Sequence, residues 1–295
     1  MSLVINHNLM AQNAARNLQT SYSNLGTSVE RLSSGLRINS ASDDAAGLAI
    51  RELMRADIAS LNQGVRNAQD AVSMIQTADG ALQIIDEKLI RMKELATQAS
   101  TGTYNSDQRL IIDSEYQAMA SEITRIASAT DFNGIQLLNG NLSGDFSGAG
   151  LKAQGEMKVH FGAGNDSAED YYYVRIGDST ASALGVGIGA GPDAAGASIS
   201  TQELAQASLN ALNDAIISKD KIRANLGSLQ NRLENTITNL QVQAENLQAS
   251  ESRISDVDVA TEMTEFVRQQ ILSQSATAML SQANSLPRMA TQLLG

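Results

Sequence analysis

The sequence predicts a mainly α-helical protein: a long antiparallel helical rod and coiled coil formed by both chain ends, with a small central insert containing a β-hairpin. Three observations carry this prediction. Apolar residues recur at steps of four and three along both ends of the chain. Only 2 prolines interrupt 295 residues, which permits very long helices. Between Gly144 and Gly196 the helical pattern vanishes and glycine becomes frequent.

The first stripe is Ala11, Ala15, Leu18, Tyr22, Leu25, Val29, Leu32 and Leu36, and it predicts a helix from Leu3 to about Leu36. Its other faces are mostly Asn, Gln, Ser and Thr. Amides and hydroxyls lose less than charges do on dehydration, so such a face suits later burial by sister molecules. The stretch from Ser33 to Ile50 then reads as a stop and a restart. Gly35 ends the first helix, Ser40 or Ser42 caps the second, and Asp43 and Asp44 sit in its first turn against the positive end of the helix dipole.

The second helix runs from Ala45 to about Ser100, with Ile50, Met54, Ile58, Leu61, Val65, Ala68, Val72 and Ile75 continuing as Ala78, Leu82, Ile85, Leu89, Met92 and Ala96. At about 1.5 Å per residue it is roughly 80 Å long. Gly47, Gly64 and Gly80 inside it either permit close approach of another segment or are simply tolerated. After a turn from Ser100 to Gln108, a third helix to about Ala129 carries Ile112, Tyr116, Met119, Ile123 and Ile126 on one face and folds back on the second. Asn133-Gly134 and Asn139-Gly140 mark turns in the next loop.

In the centre, Met157 to Phe161 and Tyr171 to Ile176 alternate as strands of a hairpin. The run Gly185 to Gly191 has no strand before it and no helix start after it, so it reads as a surface loop and not a nucleotide fingerprint. The fourth helix, about Thr201 to Ser250, matches the second in length and pairs antiparallel with it. A break near Ser255-Asp256 precedes a last helix, striped by Leu272, Ala276, Met279, Ala283, Leu286, Ala290 and Leu293 and kinked at Pro287.

The first and last helices emerge together, each stripe with only the other to cover it. With Ala, Ser and Gln at many core positions, such a pair is marginal, and full order requires packing against neighbours. The domain organisation that follows is residues 1–42 with 255–295 as a terminal coiled coil, 43–140 with 200–254 as a helical rod, and 141–199 as a β/loop insert.

Composition narrows the function. With 21 basic against 32 acidic residues the net charge is −11, which argues against a nucleic-acid binder. The absence of cysteine excludes a disulfide scaffold, a thiolate zinc site and a cysteine nucleophile. No apolar run is long enough to insert in a membrane, and the N-terminus lacks a cleavable signal. His7 and His160 are the only histidines, no metal-spaced or nucleophilic motif accompanies them, and adjacent acids such as Asp43-Asp44 and Glu169-Asp170 suit capping and solvation. The sequence holds no catalytic, cofactor or metal constellation.

Three segments carry a family resemblance: SSGLRINSASDDAAGLAI from Ser33 to Ile50, TDFNGIQLLNG from Thr130 to Gly140, and SRISDVDVATEMTEFV from Ser252 onward through the last residue. They resemble the two ends of bacterial flagellin, whose centre is typically variable. The resemblance implies a homopolymer, the extracellular flagellar filament, that serves swimming motility. Its assembly residues would be the terminal stripes, Leu18, Tyr22, Leu25, Val29, Leu32 and Leu36 with Leu272, Met279, Leu286 and Leu293. It further implies export through the flagellar type III apparatus, an export chaperone on the C-terminal helix, and hook-associated junction and cap proteins as partners. Arg91, Leu95 and Glu115 resemble the surface read by the vertebrate flagellin-sensing Toll-like receptor, although Ile90 and Lys93 depart from the commoner residues there. The alternatives are a hook–filament junction protein and a secreted adhesin with flagellin-like ends; filament formation by purified protein separates them.

Overall fold

The computed structural model describes residues 7–144, 155–167, 169–191 and 195–294, with backbone alone for residues 188 and 286–294. Its described residues form five α-helices and two small antiparallel sheets, so the fold is mainly α. Helix α1 spans Leu9–Ser34 behind Asn8, whose side chain accepts the Ala11 N–H; the expected start at Leu3 lies outside the described residues. Gly35 closes it at φ +74, a left-handed conformation that costs glycine little.

Helix α2, Ala45–Ala99, is capped by Asp44 and by neither of the expected serines. The Asp44 Oδ1 accepts the Gly47 N–H at 2.9 Å. Asp43 instead turns back on the linker and accepts the N–H groups of Ser40 and Asn39 at 2.9 and 3.1 Å. Those bonds, the Ser40 N–H foremost, hold its carboxyl below the ordinary range.

Helix α3, Ser106–Ala129, opens with a capping box between Asn105 and Gln108. Strands β1 (Asp131–Phe132) and β2 (Ile135–Gln136) form a tight hairpin around Asn133 and Gly134, both at positive φ. Strands β3 (Met157–His160) and β4 (Tyr171–Val174) pair from Met157↔Val174 to His160↔Tyr171. The Asp170 carbonyl closes the base of their loop by accepting the N–H groups of both Phe161 and Gly162 at 2.9 Å. Within the glycine-rich run that follows, Ile188–Ala190 makes one short 3-10 turn. Helices α4, Gln202–Ser255, and α5, Val259–Leu294, complete the chain, and α5 remains helical through Pro287.

Two compact units result, residues 1–58 with 245–295 and residues 59–244, and α2 and α4 contribute to both. In the second unit the α2 stripe from Leu61 to Ala99 is buried, and so are Tyr116, Ile123 and Ile126 of α3 and Leu212, Leu226 and Leu233 of α4. Asp79 meets Arg223 and Asp86 meets Lys219, so α2 and α4 run antiparallel. The glycines of α2 separate into two kinds. A Cβ at Gly64 would strike the carbonyl of Phe161, so the end of β3 crosses α2 only because residue 64 is glycine, whereas Gly80 faces open space.

Candidate assembly face

In the first unit α1 and α5 pack antiparallel. The Asn8 amide donates to the Ala283 carbonyl at 2.8 Å near one end, and Arg31 lies 3.7 Å from Glu262 near the other. The inward positions of α1 are Ala11, Ala14, Leu18, Ser21, Leu25, Ser28 and Leu32, a heptad alternation of three and four. On α5 they are Gln269, Ser273, Ala276, Leu280 and Ala283. The most deeply buried of these are small or polar: Ser28, Gln269, Ser273 and Ala283.

Leu18, Leu25, Leu32 and Leu280 share this seam, but many other large apolar side chains point the other way. Tyr22, Val29, Leu272 and Met279 are exposed, Met279 to 64%, and Leu9, Met10, Val259, Met263, Val267 and Ile271 join them. Of the residues expected to form the assembly stripe, Leu18, Leu25, Leu32 and Leu36 are half-buried, while Tyr22, Val29, Leu272 and Met279 face solvent. The side chains of Leu286 and Leu293 lie outside the described residues. The expectation that each stripe covers the other is therefore corrected. The seam runs one position away from much of the apolar stripe, because serine, glutamine and alanine occupy it. A groove of about 660 Å³ follows this seam, floored by Ala14, Ser21, Gln269 and Ala276 and rimmed by Met10, Leu272 and Met279.

Asp258 fixes the start of α5. It accepts the Thr261 hydroxyl at 2.9 Å and the N–H groups of Thr261 and Ala260, and these bonds, the hydroxyl first, hold its carboxyl below the ordinary range.

The second sequence-derived site lies in the other unit. Arg91 on α2 donates from Nε and Nη2 to Glu115 Oε1 on α3, at 3.1 and 2.9 Å, and from Nη1 to Glu94 at 2.9 Å. All three side chains are exposed. Leu95 is not: at 1% exposure it belongs to the core, so it holds α2 in place and presents no surface to a partner. It stands three residues after Met92 and next to Ala96 of the apolar stripe, and shares the inward face with them.

Sequence reasoning passed over Lys219, which fills a core position of α4 between Ala215 and Ile222 with its ammonium 2.6 Å from Asp86 and 2.7 Å from Asp220. The available signal was a lysine on the buried side of the α4 stripe. Among the described residues no cluster of ligating side chains is arranged for a metal ion, and no helix is long and apolar enough to cross a membrane.

A helix pair whose most deeply buried residues are small or polar, while many large apolar residues lie outside, defines a class: structural proteins completed by further helices packed around them. Comparisons with known proteins make this specific. The family model for the bacterial flagellin N-terminal helical region matches residues 5–143, and that for the C-terminal helical region matches residues 209–294. The flagellar filament 33 kDa core protein of Treponema phagedenis is 43% identical over 293 residues, 99% of this chain and 100% of that protein. Flagellin of Halalkalibacterium halodurans is 41% identical over 292 residues, with 99% and 100% covered. The crystal structure of Bacillus cereus flagellin, 28% identical, covers 63% of this chain and 94% of that one at a TM-score of 0.47. This chain belongs to the bacterial flagellin family. It is a structural subunit of the bacterial flagellar filament and not an enzyme, and the junction-protein and adhesin alternatives are not favoured.

Proposed function

We propose that the outward apolar residues of α1 and α5 are the surface through which copies of this chain polymerise, with residues 1–42 and 255–295 building the filament core. The observation that carries this reading is the inversion of the helix pair, Ser28 and Ser273 inside and Tyr22, Val29, Leu272 and Met279 outside. Each such side chain contributes about 1.5–3 kcal/mol when fully buried, so neighbouring copies supply the stabilisation that the isolated pair lacks. Heterologous contacts that rotate and translate without closing extend into a filament. Replacing Met279 with Asp leaves a helical, soluble chain that fails to elongate filament seeds, as sedimentation and electron microscopy of salt-induced polymers would record. Leu25→Asp, half-buried at the seam, also loosens the pair itself. Normal filaments from Met279→Asp would refute the assignment.

In the same reading residues 43–140 with 200–254 are the helical rod domain and residues 141–199 the variable insert. A marginal terminal pair suits passage through the type III apparatus in an unfolded state, an export chaperone shielding the C-terminal helix, and ordering on contact with junction, cap and sister subunits. For the Toll-like receptor the surface reduces to Arg91 and Glu115, with Leu95 supporting it from beneath. Free subunits activate receptor-bearing reporter cells in this reading, and Arg91→Ala weakens the response; an unchanged response would remove these residues from the surface.

A further inference from the structure

The two sequence segments that flank the terminal helices touch one another. Residues 35–37 and 255–257 lie antiparallel, with the Arg37 N–H donating to the Ser255 carbonyl at 2.7 Å and the Val257 N–H donating to the Gly35 carbonyl at 3.0 Å. The Arg37 guanidinium adds Nε and Nη2 to the Ile254 carbonyl, at 3.3 and 2.7 Å, bridging positions 217 residues apart. That carbonyl sits in the last turn of α4, where no intrahelical partner remains and a cation is favoured. One step further, Ile38 is fully buried and its carbonyl accepts Nη1 of the buried Arg51 at 2.8 Å. Ile38 fits because residue 47 is glycine: a Cβ there would lie 2.8 Å from Ile38 Cδ1 and 2.6 Å from Asp44 Oδ2.

We infer that Arg37 and Arg51 are the positioning residues of a clasp that joins both entrances to the terminal helix pair, so that α1 and α5 order as one element. The antiparallel pairing of α2 and α4 already closes most of the long separation between the two entrances, and the clasp fixes the stretch that remains. With the clasp in place, the C-terminus of α1 and the N-terminus of α5 are held together before the pair zips. Arg37 places two donors on one backbone carbonyl, and Arg51 places one on the Ile38 carbonyl while its Nε and Nη2 are held by Glu52, a forked geometry that arginine supplies and lysine does not.

Hydrogen exchange on the full soluble chain tests the clasp without relying on polymerisation. Arg37→Met keeps the apolar stem and removes the donors. Exchange at residues 254–257 then accelerates roughly ten-fold, the factor for one charged hydrogen bond. Peptides from α1 and α5 accelerate together, while the α2 core from Leu61 to Ala99 does not change. Arg37→Lys, with its single point donor, recovers part of the protection. Gly47→Ala, which alone would favour the helix, reproduces the loss by displacing Ile38. Unchanged exchange at 254–257 in Arg37→Met, or α1 accelerating with α5 unaffected, overturns the inference. Seeded growth supplies the second readout and rests on the filament reading: the critical concentration rises roughly ten-fold for Arg37→Met. Wild-type chain that never grows on seeds defeats the filament reading alone, since the exchange result still decides the clasp.

Discussion

Replacing Lys219 separates what its stem contributes from what its charge contributes. The residue is 1% exposed, with Asp86 at 2.6 Å and Asp220 at 2.7 Å. Lys219→Ala removes three methylenes from a packed site, at about 0.8 kcal/mol each. It also removes hydrogen bonds between charged groups, worth about 1.5–3 kcal/mol. Most of the second contribution is cancelled. The two carboxylates keep side-chain exposures of 27% and 59% and regain water, and the ammonium no longer has to be desolvated. The net loss is about 2–4 kcal/mol. Lys219→Met keeps a similar stem without the charge, and its cost is about 1 kcal/mol or less. Urea unfolding followed by far-ultraviolet circular dichroism measures both, with the slope in urea unchanged if only stability has moved. Equal losses for Met and Ala would show that the ion pair, and not the buried stem, secures α4, and would refute this apportioning.

Gly64→Ala forces a methyl group against the Phe161 carbonyl and costs about 1–3 kcal/mol in the same assay, whereas Gly80→Ala, facing open space, stabilises by up to about 1 kcal/mol. Asp258 has a lowered native value, so its cap on α5 is fully present above the ordinary carboxylate value of 3.8 and is lost as pH falls through the lowered one. Exchange protection at residues 259–262 is therefore flat from neutral pH down to about 4 and falls below it, and Asp258→Ala removes that acid-dependent part.

Long stretches of the fold were legible because apolar side chains mark the buried face wherever burial happens inside the same molecule. Helix α2 from Leu61 to Ala99 is the clear case, and so is the hairpin of Lys158 against Tyr173. At α1 the same rule pointed one position off the seam. Tyr22 and Val29 are apolar yet exposed, while Ser21 and Ser28 line the helix contact, so hydrophobicity there does not mark the face buried within the molecule. Lys219 stayed hidden because its burial depends on Asp86, 133 residues earlier, which no local pattern reveals. The clasp was readable only as a helix break, since the partner of Arg37 is a main-chain carbonyl and carries no side-chain signature.

The loop between β3 and β4 is sealed at its base by the two hydrogen bonds that the Asp170 carbonyl accepts, and residues 163–166 beyond it are exposed. Past that base the Asp166 N–H donates to Asp170 Oδ2 at 2.7 Å, so the ends of the tip are held close and lengthening it adds little closure entropy. Those few residues are thus a natural port for grafted epitopes or reporter tags.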